Sequence, residues 1–232
     1  MRVLLLALVL MSVKGQTEMK WGLLVWIWRL RLARLPLFNL CYFLCYFSLM
    51  NFLIWNCRGA QKPTFQNYIH ELTQKHDPAI FVIMETKLGG SRAKEITERL
   101  PYDGAIHTET IGLSGGLWLL WNDDKVVVEE LAKTEQEIHV EVKVRASNFS
   151  WIFSAIYASP RNEDRCVLWN NLIKVAELHN KPWVMAGDFN EPLVDEDKFG
   201  GRGVSVNRSL AFKDCLDGCN MVDMGFAGPR YT

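Results

Sequence analysis

The chain has 232 residues, of which 49% are hydrophobic and 22% charged, which is enough apolar material for one substantial core and excludes a largely disordered chain. Its formal net charge is zero, but residues 1–50 hold six basic and one acidic side chain, leaving 20 basic against 25 acidic in residues 51–232. A mildly acidic body argues against a sequence-tolerant DNA binder working through bulk charge, and it suits a site that works with a cation.

Residues 1–49 differ in composition from the remainder. Arg2 followed by VLLLALVLM has the basic start and short apolar core of a secretory signal, with SVKGQ as an imperfect cleavage region. A second apolar stretch, LPLFNLCYFLCYFSLM, follows Arg29, Arg31 and Arg34, and it is shorter than the roughly 20 residues that span a bilayer. Pro36 breaks any continuous helix here. Two readings stand side by side: a signal or membrane anchor, which would bring membrane association or the secretory pathway, and an extension incidental to a domain that starts near Met50.

From Met50 the pattern is regular. MNFLIW is a first strand, and Pro63 begins a helix whose Phe65, Ile69 and Leu72 share one face and which ends near Asp77-Pro78. AIFVIM is a second strand. Ser91 is expected to cap a helix carrying Ala93, Ile96 and Leu100, closed off by Pro101. Leu113 to Trp121 reads as a buried strand, with Asn122-Asp123-Asp124 as its turn and Trp118 and Trp121 as core. Ile138, Val140, Val142 and Val144 alternate with polar residues, as in a half-exposed antiparallel strand.

The second half repeats the theme. WIFSAIY is an apolar strand, and residues 163–179 are a helix with Val167, Ile173 and Leu178 as inward candidates and Trp169 and Leu172 adding bulk. WVMAG is the next strand, residues 191–203 are loop-like, and Asn207 or Ser209 is expected to cap a last helix with Leu210, Phe212 and Leu216. Interleaved strands and helices with some antiparallel pairing point to a layered α/β (α+β) domain over residues 50–232. The six cysteines include pairs four apart, Cys41 with Cys45 and Cys215 with Cys219, but no C-x-x-C spacing. They are read as buried free thiols, Cys57 as a small apolar filler beside Asn56.

Four of the apolar runs end on a polar residue suited to metal or phosphate: Asn56, Glu85, Tyr157, and Asp188 with Asn190. Polar groups at the ends of buried strands gather along one sheet edge, where a cleft can form. A phosphodiester is anionic and resists attack, so its hydrolysis needs a divalent cation, a group that orients water, and donors to the phosphate oxygens. Glu85 is a hard oxygen ligand of the kind Mg²⁺ takes. Asp188 can align or deprotonate water, and Asn56, Asn190 and the Tyr157 hydroxyl can hold phosphate. Taken singly, Glu85, Asn56 and Asp188 could merely start solvated loops, and Tyr157 could be an amphipathic core residue. Taken together, they are complementary. Arg58 and Arg161, in loops after the motif strands, are candidates for phosphate contact.

The strings WNCRG (55–59), METK (84–87), YASP (157–160) and GDFN (187–190), in that order, resemble the endonuclease/exonuclease/phosphatase superfamily. SGGLWLLW, GGRG and AFKDCLDGCNMVDMGFAGPRYT narrow the resemblance to the endonuclease domain of plant LINE-type (non-LTR) retrotransposons. The resemblance implies a four-layered αββα sandwich of the deoxyribonuclease I type. It implies Mg²⁺ or Mn²⁺ held by Glu85 with Asn56 nearby, water positioned by Asp188, Asn190 orienting Asp188 and touching phosphate, Tyr157 stabilising phosphate or the leaving oxygen, and Lys87 assisting the metal site. DNA is the implied partner, and the nucleus the implied location. The family closes with a further strand and an Asp-His pair, and here the sequence ends at Tyr231-Thr232 with none of its five histidines in the equivalent place. A fold incomplete at its C-terminus and weak or absent hydrolysis are therefore expected, with a non-catalytic retroelement remnant or membrane-tethered protein as the alternative.

Overall fold

The computed structural model describes residues 51–111, 114–147, 149–193, 203 and 205–223, and the backbone of residues 10–11, 22–23 and 29–31. In chain order the strands are β1 (Leu10–Met11), β2 (Gly22–Leu23), β3 (Arg29–Arg31), β4 (Phe52–Asn56), β5 (Ile80–Met84), β6 (Gly104–His107), β7 (Thr110–Ile111), β8 (Ser114–Gly115), β9 (Leu117–Trp121), β10 (Val126–Lys133), β11 (Glu137–Val144), β12 (Ser150–Tyr157), β13 (Trp183–Asp188) and β14 (Met221–Asp223). The helices are α1 (Phe65–His76), α2 (Gly90–Thr97), α3 (Asn162–Leu178) and α4 (Val206–Gly218).

Both faces of the central strands must be buried, because β4, β5 and β13 carry apolar side chains at nearly every position. The fold meets this demand with two sheets stacked face to face and helices outside each. One sheet runs β4-β5-β9-β6 and the other β10-β11-β12-β13-β3-β14. Phe52, Ile54, Ile80 and Val82 meet Val140, Val142, Trp151 and Phe153 between the sheets. Leu53, Trp55, Phe81 and Ile83 face Phe65, Ile69 and Leu72 of α1 and Ala93 of α2 on the outer side. Ile152, Ile156 and Met185 pack under Leu168, Leu172, Phe212 and Leu216 of α3 and α4. Three apolar interfaces separate four layers, so the αββα sandwich implied by the motifs is the architecture observed.

Each half contains a parallel strand pair joined through a helix: β4–α1–β5, and β12–α3–β13. In the second sheet β3 lies between β13 and β14, antiparallel to both. The segments 1–9, 12–21, 24–28 and 32–50 fall outside the described residues, as do Cys41 and Cys45. Among the described residues no helix is long and apolar enough to cross a membrane.

Several local expectations are corrected. Ser91 does not cap α2; Gly89 holds that place, and the helix closes at Thr97, whose Oγ1 donates back to the Ala93 and Lys94 carbonyls at 3.1 Å. Gly116 splits the strand expected from Leu113 onward. On α3, Val167 and Leu178 are 58% and 76% exposed; the inward stripe is Arg165, Leu168, Trp169, Leu172, Val175 and Ala176, which keeps the three-to-four spacing that the other residues break. Ser205, not Asn207 or Ser209, precedes α4, and Leu210 is 49% exposed. Strand β10 escaped the sequence reading because its VVVEELAK alternation is diluted by two successive glutamates. Strand β11 is not half-exposed along its length: Glu137 and His139 are buried, Glu137 accepting from Asn171 Nδ2 at 2.8 Å and His139 bonded to Ser154 Oγ at 2.6 Å. Cys57, Cys215 and Cys219 are buried as expected, whereas Cys166 is exposed.

Candidate functional site

The two parallel pairs place their C-terminal residues in matching positions. Asn56 ends β4 opposite Met84, so Glu85 is the next residue of the neighbouring strand. Tyr157 ends β12 directly opposite Asp188, the last residue of β13. Met84 and Tyr157 pack in the same cluster between the sheets, and the hydroxyl of Tyr157 senses the charges of both Glu85 and Asp188. Stacking the sheets thus brings Asn56, Glu85, Tyr157, Asp188 and Asn190 to one edge.

The backbone around these residues is unusual. Outside glycine, the described residues with left-handed φ are Arg58, Asp77, Glu85, Lys87, Asn190 and Asn220. Asp77 closes α1 and Asn220 follows α4, where such a conformation is ordinary. The other four, Arg58, Glu85, Lys87 and Asn190, are all residues named from the motifs, and left-handed backbone at an arginine, a glutamate and a lysine costs of order 1–3 kcal/mol each. A ladder of backbone bonds holds this geometry: Cys57 N–H to Met84 O at 3.0 Å, Gly59 N–H to Glu85 O at 2.8 Å, Ala60 N–H to Thr86 O at 2.8 Å, and Thr86 N–H to Gly116 O at 3.0 Å. Gly187 has φ 142°, and a Cβ there would stand 1.8 Å from Ile156 O, so the GDFN turn needs glycine.

The site is electrostatically tense. Asp188 is 8% exposed. Burial, with the Glu85 charge adding to it, pushes its carboxyl up to about 6, although the Asn190 backbone N–H donates to Oδ1 at 2.9 Å. Burial raises the Tyr157 hydroxyl well above its ordinary value, and Glu85, Asp188 and Cys57 add to the effect. Burial likewise pushes the Cys57 thiol up to about 12, so it stays a neutral filler. Among the described residues no group of three or more His, Cys, Asp and Glu could hold a metal. Two carboxylates and the Asn56 amide oxygen, which accepts the Arg58 N–H at 3.2 Å, form a hard-oxygen set. That set fits Mg²⁺, which takes one or two carboxylates and keeps several waters.

The basic candidates divide. Lys87 Nζ lies 3.3 Å from Glu85 Oε1 and belongs to the cluster. Arg58 contributes its backbone N–H to Asn56. Arg161, in the N-cap position of α3, is largely exposed and donates from Nε to Asp164 Oδ2 at 2.9 Å. Trp118 is fully buried with its indole N–H donated to Leu88 O at 3.0 Å, a core role.

Sequence reasoning missed Arg165 and Glu191. They form a buried ion pair at 2.5 Å directly behind the strand ends. The signal available was an arginine four residues into α3 and a glutamate next to Asn190, neither distinguishable from a solvated residue by pattern alone.

The sequence profile described as the Endonuclease/Exonuclease/phosphatase family matches residues 53–213. No curated protein matches the chain in sequence. Among solved structures, the AP endonuclease LMAP from Leishmania major matches with a TM-score of 0.58 at 13% identity, over 73% of this chain and 66% of that one. The endonuclease domain of TRAS1, a telomere-specific non-LTR retrotransposon, matches with a TM-score of 0.52 at 16% identity, over 72% of this chain and 71% of that one. The human Nocturnin catalytic domain matches at 18% identity and a TM-score of 0.44, over 59% of this chain and 62% of that one. The chain thus spans just under two thirds of the length of the Leishmania and human proteins. At these identities the likeness to the Leishmania and TRAS1 structures establishes a shared fold.

Proposed function

The chain belongs to the endonuclease/exonuclease/phosphatase family, and from this we propose that it is a divalent-metal-dependent phosphodiester hydrolase domain acting on DNA, of the retrotransposon endonuclease kind. The observation that carries the reading is the convergence of Asn56, Glu85, Tyr157 and Asp188 from four strand ends onto one edge. The DNA and retroelement part is supported by the motif strings, and by the fold likeness to a protein described as a non-LTR retrotransposon endonuclease domain.

Glu85 and Asn56 would hold Mg²⁺ or Mn²⁺, with Asp188 close by. When bound, the cation supplies charge neutralisation at the phosphate and a more acidic water. Asp188, at about 6, is ionised at neutral pH yet basic enough to take a proton from the attacking water. Asn190 fixes its orientation through the backbone N–H on Oδ1. The Tyr157 hydroxyl, held protonated by its buried and anionic surroundings, donates to a phosphate oxygen as negative charge builds there. Lys87 balances Glu85, and Arg58 and Arg161 contact flanking phosphates.

We place turnover low. His107 bonds Thr97, His139 bonds Ser154 in the core, His70 is exposed on α1, and His76 and His179 mark the far ends of α1 and α3. Protonation of the leaving oxygen then falls to Tyr157 or solvent. Supercoiled plasmid incubated with excess protein tests this: slow Mg²⁺-dependent nicking, lost in Asp188→Ala, is expected. Absence of nicking together with absence of Mg²⁺-dependent thermal stabilisation would identify a non-catalytic remnant. Fast multiple turnover would overturn the low-turnover part.

A further inference from the structure

Behind the strand ends, one guanidinium joins the two loops that follow Tyr157 and Asp188. Arg165, 2% exposed, projects from the inward face of α3. Its Nη1 donates to Ser159 O at 2.9 Å and Pro160 O at 2.8 Å, the carbonyls just past Tyr157. Its Nη2 donates to Glu191 Oε2 at 2.5 Å, one residue past Asn190. The other Glu191 oxygen lies 3.5 Å from Arg208 Nε on α4. The loops are also stitched to each other: Ala158 N–H donates to Asp188 O at 2.8 Å, and Asn190 Nδ2 donates to Ala158 O at 2.6 Å. Three successive carbonyls, at positions 158, 159 and 160, are therefore claimed by side chains of Asn190 and Arg165.

A buried ion pair of this kind is a weak source of stability, since apolar residues of the same volume commonly do as well or better. What a forked guanidinium supplies instead is geometry, because it fixes several acceptors in one plane. We infer that Arg165 and Glu191 are positioning residues: by gripping the Ser159 and Pro160 carbonyls and the residue after Asn190, the pair sets the separation between the Tyr157 hydroxyl and the Asp188 carboxylate. The effect on rate rests on the phosphodiesterase reading. The effect on loop geometry does not.

The full chain and its R165K, R165M, E191Q and R165M/E191Q variants provide the test. The double variant is included because removing one partner alone strands a buried charge. Hydrogen exchange is read by mass spectrometry at a temperature where every variant is folded, alongside single-turnover plasmid nicking. Exchange in segments 157–161 and 187–191 is expected to rise by about tenfold in R165M and in the double variant, with β5 and β9 unchanged. The rate constant at saturating DNA should fall about 100-fold, as expected for a misplacement of about 1 Å, with little change in apparent DNA affinity. R165K should fall between, since an ammonium reaches Glu191 but cannot span both carbonyls. Local loosening in a chain whose wild type does not nick would uphold the positioning role and sink the proposed activity. Exchange that rises evenly through β11, β12 and β13, or loops that stay protected in R165M and the double variant, would overturn the inference.

Discussion

Asp188→Asn should make the metal-free protein more stable at neutral pH, and the size of the effect follows from the site. A carboxyl with a folded-state pKa of about 6 against an ordinary 3.8 binds more protons folded than unfolded between those values. Stability therefore falls as pH rises through that window, and above it the ionised group opposes folding by up to about 3 kcal/mol, at about 1.4 kcal/mol per unit. Asparagine removes the charge and keeps Oδ1 as acceptor for the Asn190 N–H, while its new Nδ2 needs a partner of its own. We predict a net gain of about 1–2 kcal/mol at pH 7.5, or a rise of roughly 2–8 °C in Tm for a domain of this size. Thermal melts in EDTA at pH 7.5 and pH 4.0 decide it. At the lower pH, where the wild-type carboxyl is protonated in the folded state, most of the charge penalty is gone while the amide cost remains, so the difference should fall by about 2 kcal/mol and end near zero or slightly in favour of the wild type. Adding Mg²⁺ at neutral pH should raise the wild type toward the variant, because a cation compensates the buried carboxylate and its neighbour Glu85. Equal or lower stability of the variant at pH 7.5, or a difference that does not change with pH, would refute the claim that the ionised Asp188 carboxylate opposes folding.

Glu85→Gln should abolish Mg²⁺-dependent stabilisation, which in the wild type reaches about 2.7 kcal/mol at 100 times Kd; an unchanged Mg²⁺ midpoint in differential scanning fluorimetry would exclude Glu85 as a ligand. Gly187→Ala should lose about 3 kcal/mol or more in urea titrations, since its Cβ would stand 1.8 Å from Ile156 O at φ 142°; a mild effect would mean the β12–β13 end can open. On α3, Val167→Lys should shift stability by no more than about 0.5 kcal/mol, whereas Leu168→Ala should cost about 2–5 kcal/mol. Reversal of that order would restore the inward face expected from sequence.

The layers were legible because strand burial on both faces writes itself as an uninterrupted apolar run, and the four strands carrying the motifs are of that kind. Where one face is covered only in part, the pattern misled. Strand β10 alternates but carries Glu129 and Glu130 in succession. The inward stripe of α3 contains an arginine, which a hydrophobic reading discards, and discarding Arg165 rotates the chosen face toward Val167 and Leu178. Helix caps failed for a related reason. Ser91, Asn207 and Ser209 are good caps by type, but Gly89 and Ser205 occupy the entries, and Ser209 spends its hydroxyl on Leu193 O at 2.8 Å.

The site divides along the same line. Residues at the strand-end edge advertise themselves, because a polar group ending an apolar strand has no packing reason to be there. Residues that hold that edge in shape do not, because Arg165 and Glu191 acquire meaning only once α3 and two loops are folded against one another. The backbone bridges the two kinds of information. Left-handed φ at Arg58, Glu85, Lys87 and Asn190 is strain that no apolar pattern encodes, yet it falls on residues that the strand-end chemistry and the motif resemblance had singled out. Strain of about 1–3 kcal/mol at each of the three side chains that resist this conformation persists only where surrounding bonds over-determine it. Here those bonds are the ladder from Cys57 to Gly116 on one side and the Asp188–Asn190–Ala158 stitching on the other. Relaxing either ladder would ease the backbone and disperse the oxygens, so the strain and the proposed chemistry stand or fall together.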